Sequence, residues 1–313
     1  MATKSKPHAG SLQYWPRTRA AKIIPSVNWK PISKESGLQG FIGYKAGMIS
    51  VYVKDDTSDS LTKGKRIIVP GTVIECPVMK IYSVRLYKNG QVLKDIVVSN
   101  EKELKRVIKV SKEVKKLEDM GADFDDLRVI VYSDVKSTAI KKTPDLIELA
   151  ISGTKDDKIK YVTEKVGKEI SISEVFPAGL VDVRGVTKGY GTEGPVQRFG
   201  ISLKSHKSEK GVRRPGSLGA FGMRRVMFRT PQAGQTGYFS RVAYNNLVLK
   251  VGKISEDNIN RSSGFHKFGN LKTEFIVLKG SVPGVPKRPL LMTAPLRPTK
   301  YTSKKKLEVI EFR

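Results

Sequence analysis

The sequence predicts a mainly β protein with a small α/β unit inserted into it. Short segments rich in Val, Ile and Tyr recur in both halves of the chain, and Gly and Pro separate them as in strands joined by turns. Between these segments, the apolar residues change to helical spacing for several turns. The chain has 313 residues, enough for one large domain or two ordinary ones. Several short strands of this kind indicate a small barrel or a sandwich.

The first forty residues are predicted to form an extended arm. Four prolines interrupt them and few apolar positions recur, so a helix is excluded and little could be buried. Strands are predicted over residues 40–53 and within residues 63–87. The predicted divisions are an arm (1–40), a first barrel part (41–87), an inserted α/β unit (88–165) and a second barrel part (166–313) with a basic loop (203–241).

The inserted unit is predicted to contain helices as well as a strand. A helix is expected from Asn100 to Gly121, with its apolar face formed by Leu104, Val107, Ile108, Val114 and Leu117. A strand is expected over 127–135, a short helix over 143–153 with Thr143 as N-cap, and a further helix over 156–166. After the insertion, strands are expected over 169–176, 179–187, 244–254 and 274–284.

The charge of the chain points to a polyanionic partner. Fifty-eight Lys and Arg against 30 Asp and Glu give a formal net charge of +28. Self-repulsion on this scale disfavours a compact state, so we expect a nucleic acid as the counter-charge, with an anionic membrane surface as the alternative. The charge is also segregated. Residues 101–160 hold 14 basic and 13 acidic residues, whereas residues 175–306 hold 25 basic and six acidic ones.

The cysteine and histidine content argues against disulfides and zinc. The single cysteine, Cys76, indicates a reducing compartment, and the three histidines are scattered. No apolar stretch suits a signal peptide or a membrane span, so we expect a cytoplasmic protein.

Motifs for catalysis or cofactor binding are weak. "GYGTEG" (189–194) matches G-x-G-x-x-G, but Pro195 follows at once and "PVQRFGIS" does not suggest the helix that a dinucleotide site requires. Asp55, Asp56 and Asp59 are expected at an exposed hairpin tip without a metal role. His206 has lysines around it and no carboxylate partner except Glu209, so a role as a catalytic base is not expected. The sequence therefore predicts no enzyme, no cofactor and no metal.

The basic loop, residues 203–241, is the main candidate binding segment. It holds nine Lys and Arg against one Glu, with six glycines and interleaved aromatic residues. Guanidinium groups bind phosphates bidentately, and planar side chains stack on unpaired bases. RNA is favoured over DNA because no helix-turn-helix, zinc finger or basic zipper is evident. Three alternatives remain: a solvated disordered loop, an RNA-modifying enzyme that uses the loop for substrate and "GYGTEG" for a nucleotide, and peripheral membrane binding.

Segments along most of the chain resemble the universal large-subunit ribosomal protein L3 family in its archaeal/eukaryotic form. They are "HAGSLQYWPRTRA", "GFIGYKAGM", "VPGTVIECP", "VDVRGVTKGYGTEGPVQRFG", "AGQTGYFSRV" and "LKGSVPG". The resemblance implies a small β-barrel of the translation-protein type with long rRNA-penetrating extensions. It also implies early binding to large-subunit (23S-type) rRNA, with a central extension, here 203–241, directed towards the peptidyl-transferase centre. Phe221 would lie at its tip, where many members have Trp.

The residues and the resemblance together predict one rRNA-binding set. Its members are Tyr14, Trp15, Arg17, Arg19, Lys188, Arg198, Lys204, His206, Lys207, Lys210, Arg213, Arg214, Phe221, Arg224, Arg225, Arg229, Tyr238 and Arg241. The resemblance further implies contacts with neighbouring ribosomal proteins and an indirect link to elongation factors and A-site tRNA, with no membrane or DNA partner. Both extensions are expected to be disordered in free solution and to fold on rRNA.

Overall fold

The computed structural model of the chain describes residues 11, 13–34, 36–110, 121, 123–222 and 224–313. The described part is mainly β. Its strands are β1 Gly40–Asp55, β2 Arg66–Cys76, β3 Met79–Lys88, β4 Gln91–Val97, β5 Asp126–Ser133, β6 Leu146–Ala150, β7 Leu180–Val186, β8 Gly189–Glu193, β9 Gly234–Gly237, β10 Ser240–Lys253, β11 Glu274–Lys279, β12 Pro289–Thr293 and β13 Leu307–Phe312. Its helices are α1 Lys155–Lys165, α2 Ile172–Val175, α3 Pro195–Phe199 and α4 Lys300–Ser303, with a 3-10 helix over Lys102–Arg106.

The largest sheet is organised around the long strand β1. Its strand order is β12-β7-β10-β11-β2-β1-β13, and β12 also pairs with β1. The first residues of β1 pair with β12, from Gly40 opposite Thr293 to Tyr44 opposite Pro289. The last residues of β1 pair with β13, and β2 runs antiparallel along most of its length. Inward-facing side chains such as Phe41, Ile74 and Phe275 are completely buried.

A second sheet has the order β4-β3-β5-β6. Glu148 on β6 lies at the centre of a polar network on one face of this sheet. Its carboxylate accepts hydrogen bonds from Arg85 (3.1 Å), Tyr87 (2.8 Å) and Arg128 (2.9 Å). Helix α1 begins with a capping box, in which Thr154 and Asp157 satisfy each other's backbone N–H groups. The Glu148 network links β6 to β3 and β5, and the capping box fixes the start of α1.

The chain forms two compact units. The loop unit consists of residues 186–240 with the described part of the first 21 residues. The sheet unit consists of residues 22–185 and 241–313 and contains the two sheets described above, apart from the end residues Val186 and Ser240.

Most of the predicted strands are confirmed, and so is one helix. Strands occupy the predicted segments 40–53, 63–87, 127–135, 179–187 and 244–254, as well as the start of the segment from residue 274. The helix predicted over 156–166 is α1.

Two predictions of local structure are wrong because tertiary partners override local spacing. The helix predicted over 143–153 is strand β6, which pairs with β5 and places Glu148 beside two arginines. The strand predicted over 169–176 contains the short helix α2, whose Ile172 and Val175 are three positions apart and both buried.

The helix predicted from Asn100 to Gly121 is also wrong in its described part. Only a 3-10 helix forms, over Lys102–Arg106, and within it the Leu104 side chain is buried. The backbone leaves helical geometry before Lys109. Val114 and Leu117, which were predicted on the same face, lie outside the described residues.

The predictions for the arm and for the aspartate cluster need correction as well. Trp29 and Ile32 are buried at 5% and 3% exposure, so the arm does contribute to the hydrophobic core. Asp55 is the buried last residue of β1 and accepts hydrogen bonds from Ser60 and Thr62. An aspartate with this many local donors is held inside a turn and is not exposed at its tip.

Glu75 makes the stability of the sheet unit depend on pH. It is completely buried, and its Oε1 accepts hydrogen bonds from the backbone N–H groups of Lys272 (2.8 Å) and Thr273 (3.1 Å). Burial raises the pKa of its carboxyl group above the ordinary value of 4.5. From pH 4.5 up to the raised pKa, the folded state therefore binds more protons than the unfolded chain, and stability falls as pH rises.

We expect Glu75→Gln to remove this loss, so that the variant gains stability relative to the wild type as pH rises above 4.5. Each unit by which the pKa is raised corresponds to about 1.4 kcal/mol. Urea unfolding at a series of pH values measures the difference, with Glu311→Gln, at an exposed glutamate, as the control. Parallel pH profiles for the wild type and Glu75→Gln would contradict the prediction.

Candidate nucleic-acid interface

A two-stranded ribbon of β8 and β9 forms the base of the loop unit. Gly189 lies opposite Gly237 and Glu193 opposite Gly234, with a register shift at Tyr190. The "GYGTEG" motif therefore lies within a strand, not in the turn between a strand and a long helix that phosphate binding requires.

The residues after this motif do form a helix, contrary to the sequence-based expectation. Pro195 is favoured at the first helical position, and α3 runs for five residues before Gly200 ends it in the left-handed conformation. This single turn is shorter than the helix whose N-terminus holds the pyrophosphate in a dinucleotide site. Among the described residues, no group of three or more His, Cys, Asp or Glu side chains is placed to hold a metal ion.

An aromatic stack joins the N-terminal arm to the base of the basic loop. The Trp15 ring lies 5.6 Å from the Phe199 ring at an interplanar angle of 25°, and 5.3 Å from the Phe228 ring at 60°. The Arg17 guanidinium lies 4.3 Å from the Phe199 centroid, and its Nη1 donates to the Arg198 carbonyl at 2.9 Å. Stacked rings and a cation over an aromatic face are each favourable contacts, so these residues form a small local core.

Arg198 serves this local core as well as carrying charge. Its Nε donates to the Gln235 carbonyl at 3.0 Å, and its Nη1 donates to the Gln232 carbonyl at 3.1 Å. The Gln235 side chain in turn accepts a hydrogen bond from Arg19 Nε at 2.9 Å. Burial lowers the pKa of Arg198, although a guanidinium stays protonated at neutral pH. These bonds fix the ends of the basic loop.

A cavity of about 350 Å³ lies beside the stack. Aromatic and cationic side chains line it, among them Trp15, Arg17, Arg198 and Phe228. The Trp15 Nε1 atom is buried and has no hydrogen-bond partner among the described residues. The walls of the cavity therefore combine aromatic rings with two guanidinium groups.

Between α3 and Thr230, the basic loop contains no helix or strand among its described residues. Short backbone hydrogen bonds shape it, such as Lys204 N–H to the Val212 carbonyl at 3.1 Å. Phe221 is fully exposed, at 109%. The cations from Lys204 to Arg229 are exposed, and in the described part of the chain no carboxylate lies within salt-bridge distance of any of them. Their charge is therefore available to an outside anion.

The structure places the predicted site residues in three groups. The exposed ones are Tyr14, Arg19, Lys188, Lys204, His206, Lys207, Lys210, Arg213, Arg214, Phe221, Arg224, Arg225 and Arg229. Trp15, Arg17, Arg198 and Tyr238 are partly buried within the loop unit. Arg241 is partly buried and belongs to the sheet unit.

Sequence reasoning missed Phe199 and Gln235, on which the arm packs. Phe199 is buried at 7% exposure and stacks on Trp15, although the two residues are far apart in the chain. No spacing rule connects them, so only the tertiary structure reveals the pair. The left-handed backbone of Tyr238 (φ 57°) was also not expected, because that region favours glycine.

Among the residues that the structure describes, no helix has the length and apolar character that a membrane crossing requires.

Comparison with known proteins identifies the family. The family model described as Ribosomal protein L3 matches residues 1–313. The protein named large ribosomal subunit protein uL3 of Archaeoglobus fulgidus is 39% identical, with 94% of this chain and 93% of the relative covered. The proteins of the same name from Methanocaldococcus jannaschii and Methanococcoides burtonii are 36% and 37% identical and are covered to 92% and 94% of their length. These matches span nearly the whole chain and confirm the resemblance found in the sequence. The chain therefore belongs to the ribosomal protein L3 family.

Proposed function

We propose that this chain is a structural constituent of the large ribosomal subunit and that it binds large-subunit rRNA through the loop unit. One observation carries the proposal: the loop from Lys204 to Arg229 exposes eight Lys and Arg side chains, and none of them forms an ion pair with a carboxylate of the described residues. An uncompensated row of cations on a backbone without helix or strand suits the irregular path of folded RNA. The names of the relatives, which are those of large-subunit ribosomal proteins and not of enzymes, support it.

The binding contacts follow from the chemistry of the side chains. The loop arginines and lysines would hold phosphates, and Phe221 would stack on a base or ribose. Trp15, Arg17 and Arg198 would act mainly by fixing the loop, since their rings and guanidinium groups already contact each other. The other predicted site residues, from Tyr14 to Arg241, are proposed as further contacts with rRNA.

RNA is favoured over a membrane and over DNA. Peripheral membrane binding uses an amphipathic basic helix, whereas the basic loop is not helical. The described helices are at most 11 residues long, and the longest, α1, carries acidic as well as basic residues, unlike a recognition helix for the major groove.

The sheet unit is proposed to be the scaffold. Strands β1, β2, β11, β10, β7 and β12 each pair with the next, and β12 also pairs with β1, which supports a closed six-stranded barrel of the translation-protein type. We keep the predicted division into an arm (1–40), barrel parts (41–87 and 166–313) and an inserted α/β unit (88–165) as part of this proposal.

Within a cytoplasmic ribosome, the chain would join the large subunit early in assembly. Its loop would extend towards the peptidyl-transferase centre, and neighbouring ribosomal proteins would contact the scaffold. The link to elongation factors and A-site tRNA would be indirect, through the rRNA. Both extensions would gain much of their order on binding.

Two substitutions test stacking and phosphate contact separately. Phe221→Ala is expected to weaken binding to large-subunit rRNA fragments by about 1–3 kcal/mol, the range for one stacked base, without changing the salt dependence. Arg225→Gln is expected to reduce the slope of log affinity against log salt by about 0.7–0.9, the value for one phosphate. Fluorescence anisotropy across a salt series measures both.

The matched control is Lys142→Gln, which removes an exposed charge from the sheet unit. If Phe221→Ala and Arg225→Gln bind rRNA like this control at every salt concentration, the loop does not contact RNA and the proposed function fails. A saturable rise in melting temperature with nucleotides or methyl donors would instead favour an RNA-modifying enzyme.

A further inference from the structure

A second cationic site lies within the sheet unit. A cavity of about 180 Å³ lies between the turn after β1, the end of β11 and the segment around α4. Lys279, Lys304 and Lys305 line it together with Tyr301 and the hydroxyl-bearing turn over 57–62. We call it the lysine pocket. None of these residues belongs to the set that the sequence predicted.

The lysines of this pocket have no carboxylate partner. Among the described residues, no carboxylate oxygen lies within 4.0 Å of Lys279, Lys304 or Lys305. Lys279 and Lys305 are also partly buried. Burial, with the charge of Lys305 close by, lowers the pKa of the Lys279 ammonium. The charge of Asp55 offsets part of this effect at Lys279, and the Lys305 ammonium lies 4.4 Å from the centroid of the Tyr301 ring. Two neighbouring, partly buried cations against this one carboxylate leave a surplus of positive charge, which points to an anion from outside the chain.

The carboxylates of the two acidic residues that line the pocket, Asp55 and Asp59, form no ion pair with its lysines. Asp55 Oδ1 accepts the Thr57 N–H at 3.0 Å, and its Oδ2 accepts the hydroxyls of Ser60 (2.6 Å) and Thr62 (2.5 Å). These donors hold the pKa of Asp55 well below its usual range. Asp59, the other acidic residue of the wall, is exposed and forms no ion pair among the described residues. Asp55 is thus hydrogen-bonded within its own turn, and the three lysines of the wall outnumber its two carboxylates.

We propose that the lysine pocket binds a phosphate group through Lys279, Lys304 and Lys305. Ammonium groups are compact charges with three rotatable donors, so they suit the tetrahedrally arranged oxygens of a phosphate better than the planar fork of a carboxylate. Lys279 and Lys305 approach from different elements and would bind different oxygens of the same group. The phosphate is an RNA phosphodiester if the chain binds rRNA, and this assignment of the source rests on the proposed function. Phosphate binding by the lysine pocket itself does not depend on the proposed function.

Thermal unfolding of the full chain in inorganic phosphate tests the site. At constant ionic strength, phosphate in place of chloride should raise the melting temperature in a saturable way. The double variant Lys279→Gln, Lys305→Gln should lose at least about tenfold in phosphate affinity, as expected for two charge-assisted contacts. Lys306→Gln is the matched control, because Lys306 is adjacent in sequence but does not line the pocket. Lys304→Gln, at an exposed position, gives a second test if the double variant fails to fold.

The results separate the pocket from the rRNA loop. A chain in which a Gly-Ser segment replaces residues 203–226 of the basic loop should still bind phosphate at the lysine pocket. The phosphate test can therefore succeed even if the proposed function is wrong. With rRNA fragments, Lys305→Gln should reduce the salt slope by about 0.7–0.9 if the phosphate is a phosphodiester. An unchanged slope with lost phosphate binding would assign the pocket to free phosphate.

Two results would overturn the proposal. The first is a wild-type chain with no saturable response to phosphate, or with the same response as the double variant. The second is tighter binding of a poly-glutamate peptide than of phosphate at the same lysines, which would assign the pocket to a protein carboxylate.

Discussion

Replacing residues 203–226 by a Gly-Ser segment of equal length is expected to lower the salt slope of rRNA binding by up to about five units. The segment contains seven Lys and Arg residues, and each phosphate contact on single strands contributes about 0.7 to the slope. Affinity at low salt should fall by several orders of magnitude, because counterion release supplies most of it. Filter binding with large-subunit rRNA fragments between 50 and 300 mM salt, roughly the range used for such slopes, measures this change.

The boundaries of this replacement follow from the structure. The loop as predicted from the sequence, 203–241, includes β9 and would remove half of the ribbon. Ending at residue 226 also keeps Phe228, which packs on Trp15. A control loop with the same seven residues changed to Gln keeps the glycines and Phe221 and isolates the charge. If both variants keep the wild-type slope, the loop is solvated and takes no part in RNA binding.

Gly237→Ala is expected to unfold the β8–β9 ribbon. Gly237 has a φ of +70°, and an added Cβ would lie 2.0 Å from the Lys188 carbonyl oxygen. Because that oxygen belongs to the backbone of Lys188, it cannot move aside as the end of a flexible side chain could. We expect a cost of at least about 3 kcal/mol, made up of backbone strain and this collision. Amide hydrogen exchange of 189–193 and 234–237 should accelerate accordingly.

Gly191→Ala is the matched control for this prediction. Gly191 lies in the same ribbon at a φ of +72°, but no atom comes within 4 Å of the added Cβ. Only the left-handed backbone is penalised, by about 1–2 kcal/mol. Slow exchange in the sheet unit should persist in both variants. If the amides of the ribbon exchange hydrogen at the same rate in the two variants, the Lys188 carbonyl does not constrain Gly237.

The features that depend on local composition were predictable. A net charge of +28, its concentration after residue 175 and the glycine-broken basic loop need no tertiary information. Strands with a clear Val and Ile pattern, such as β1 and β7, were also correctly predicted. In these segments, the local preference and the tertiary environment agree.

The remaining features depend on contacts between distant parts of the chain. β6 is a strand because β5 and two arginines lie beside it, and α2 is a helix because Ile172 and Val175 reach the core together. In the loop unit, Arg17 and Arg198 are joined across 181 positions, and no periodicity predicts such a pair.

The amino-acid sequence alone determined the family, the mainly β class and the basic loop, and it predicted a polyanionic partner, because charge and local patterning are properties of neighbouring residues. Folding in three dimensions decided which cations remain unpaired, how the arm packs on Phe199, and that Lys279 and Lys305 meet in one pocket beside Asp55. These are outcomes of long-range packing, where burial and competing partners determine whether a charge is already satisfied.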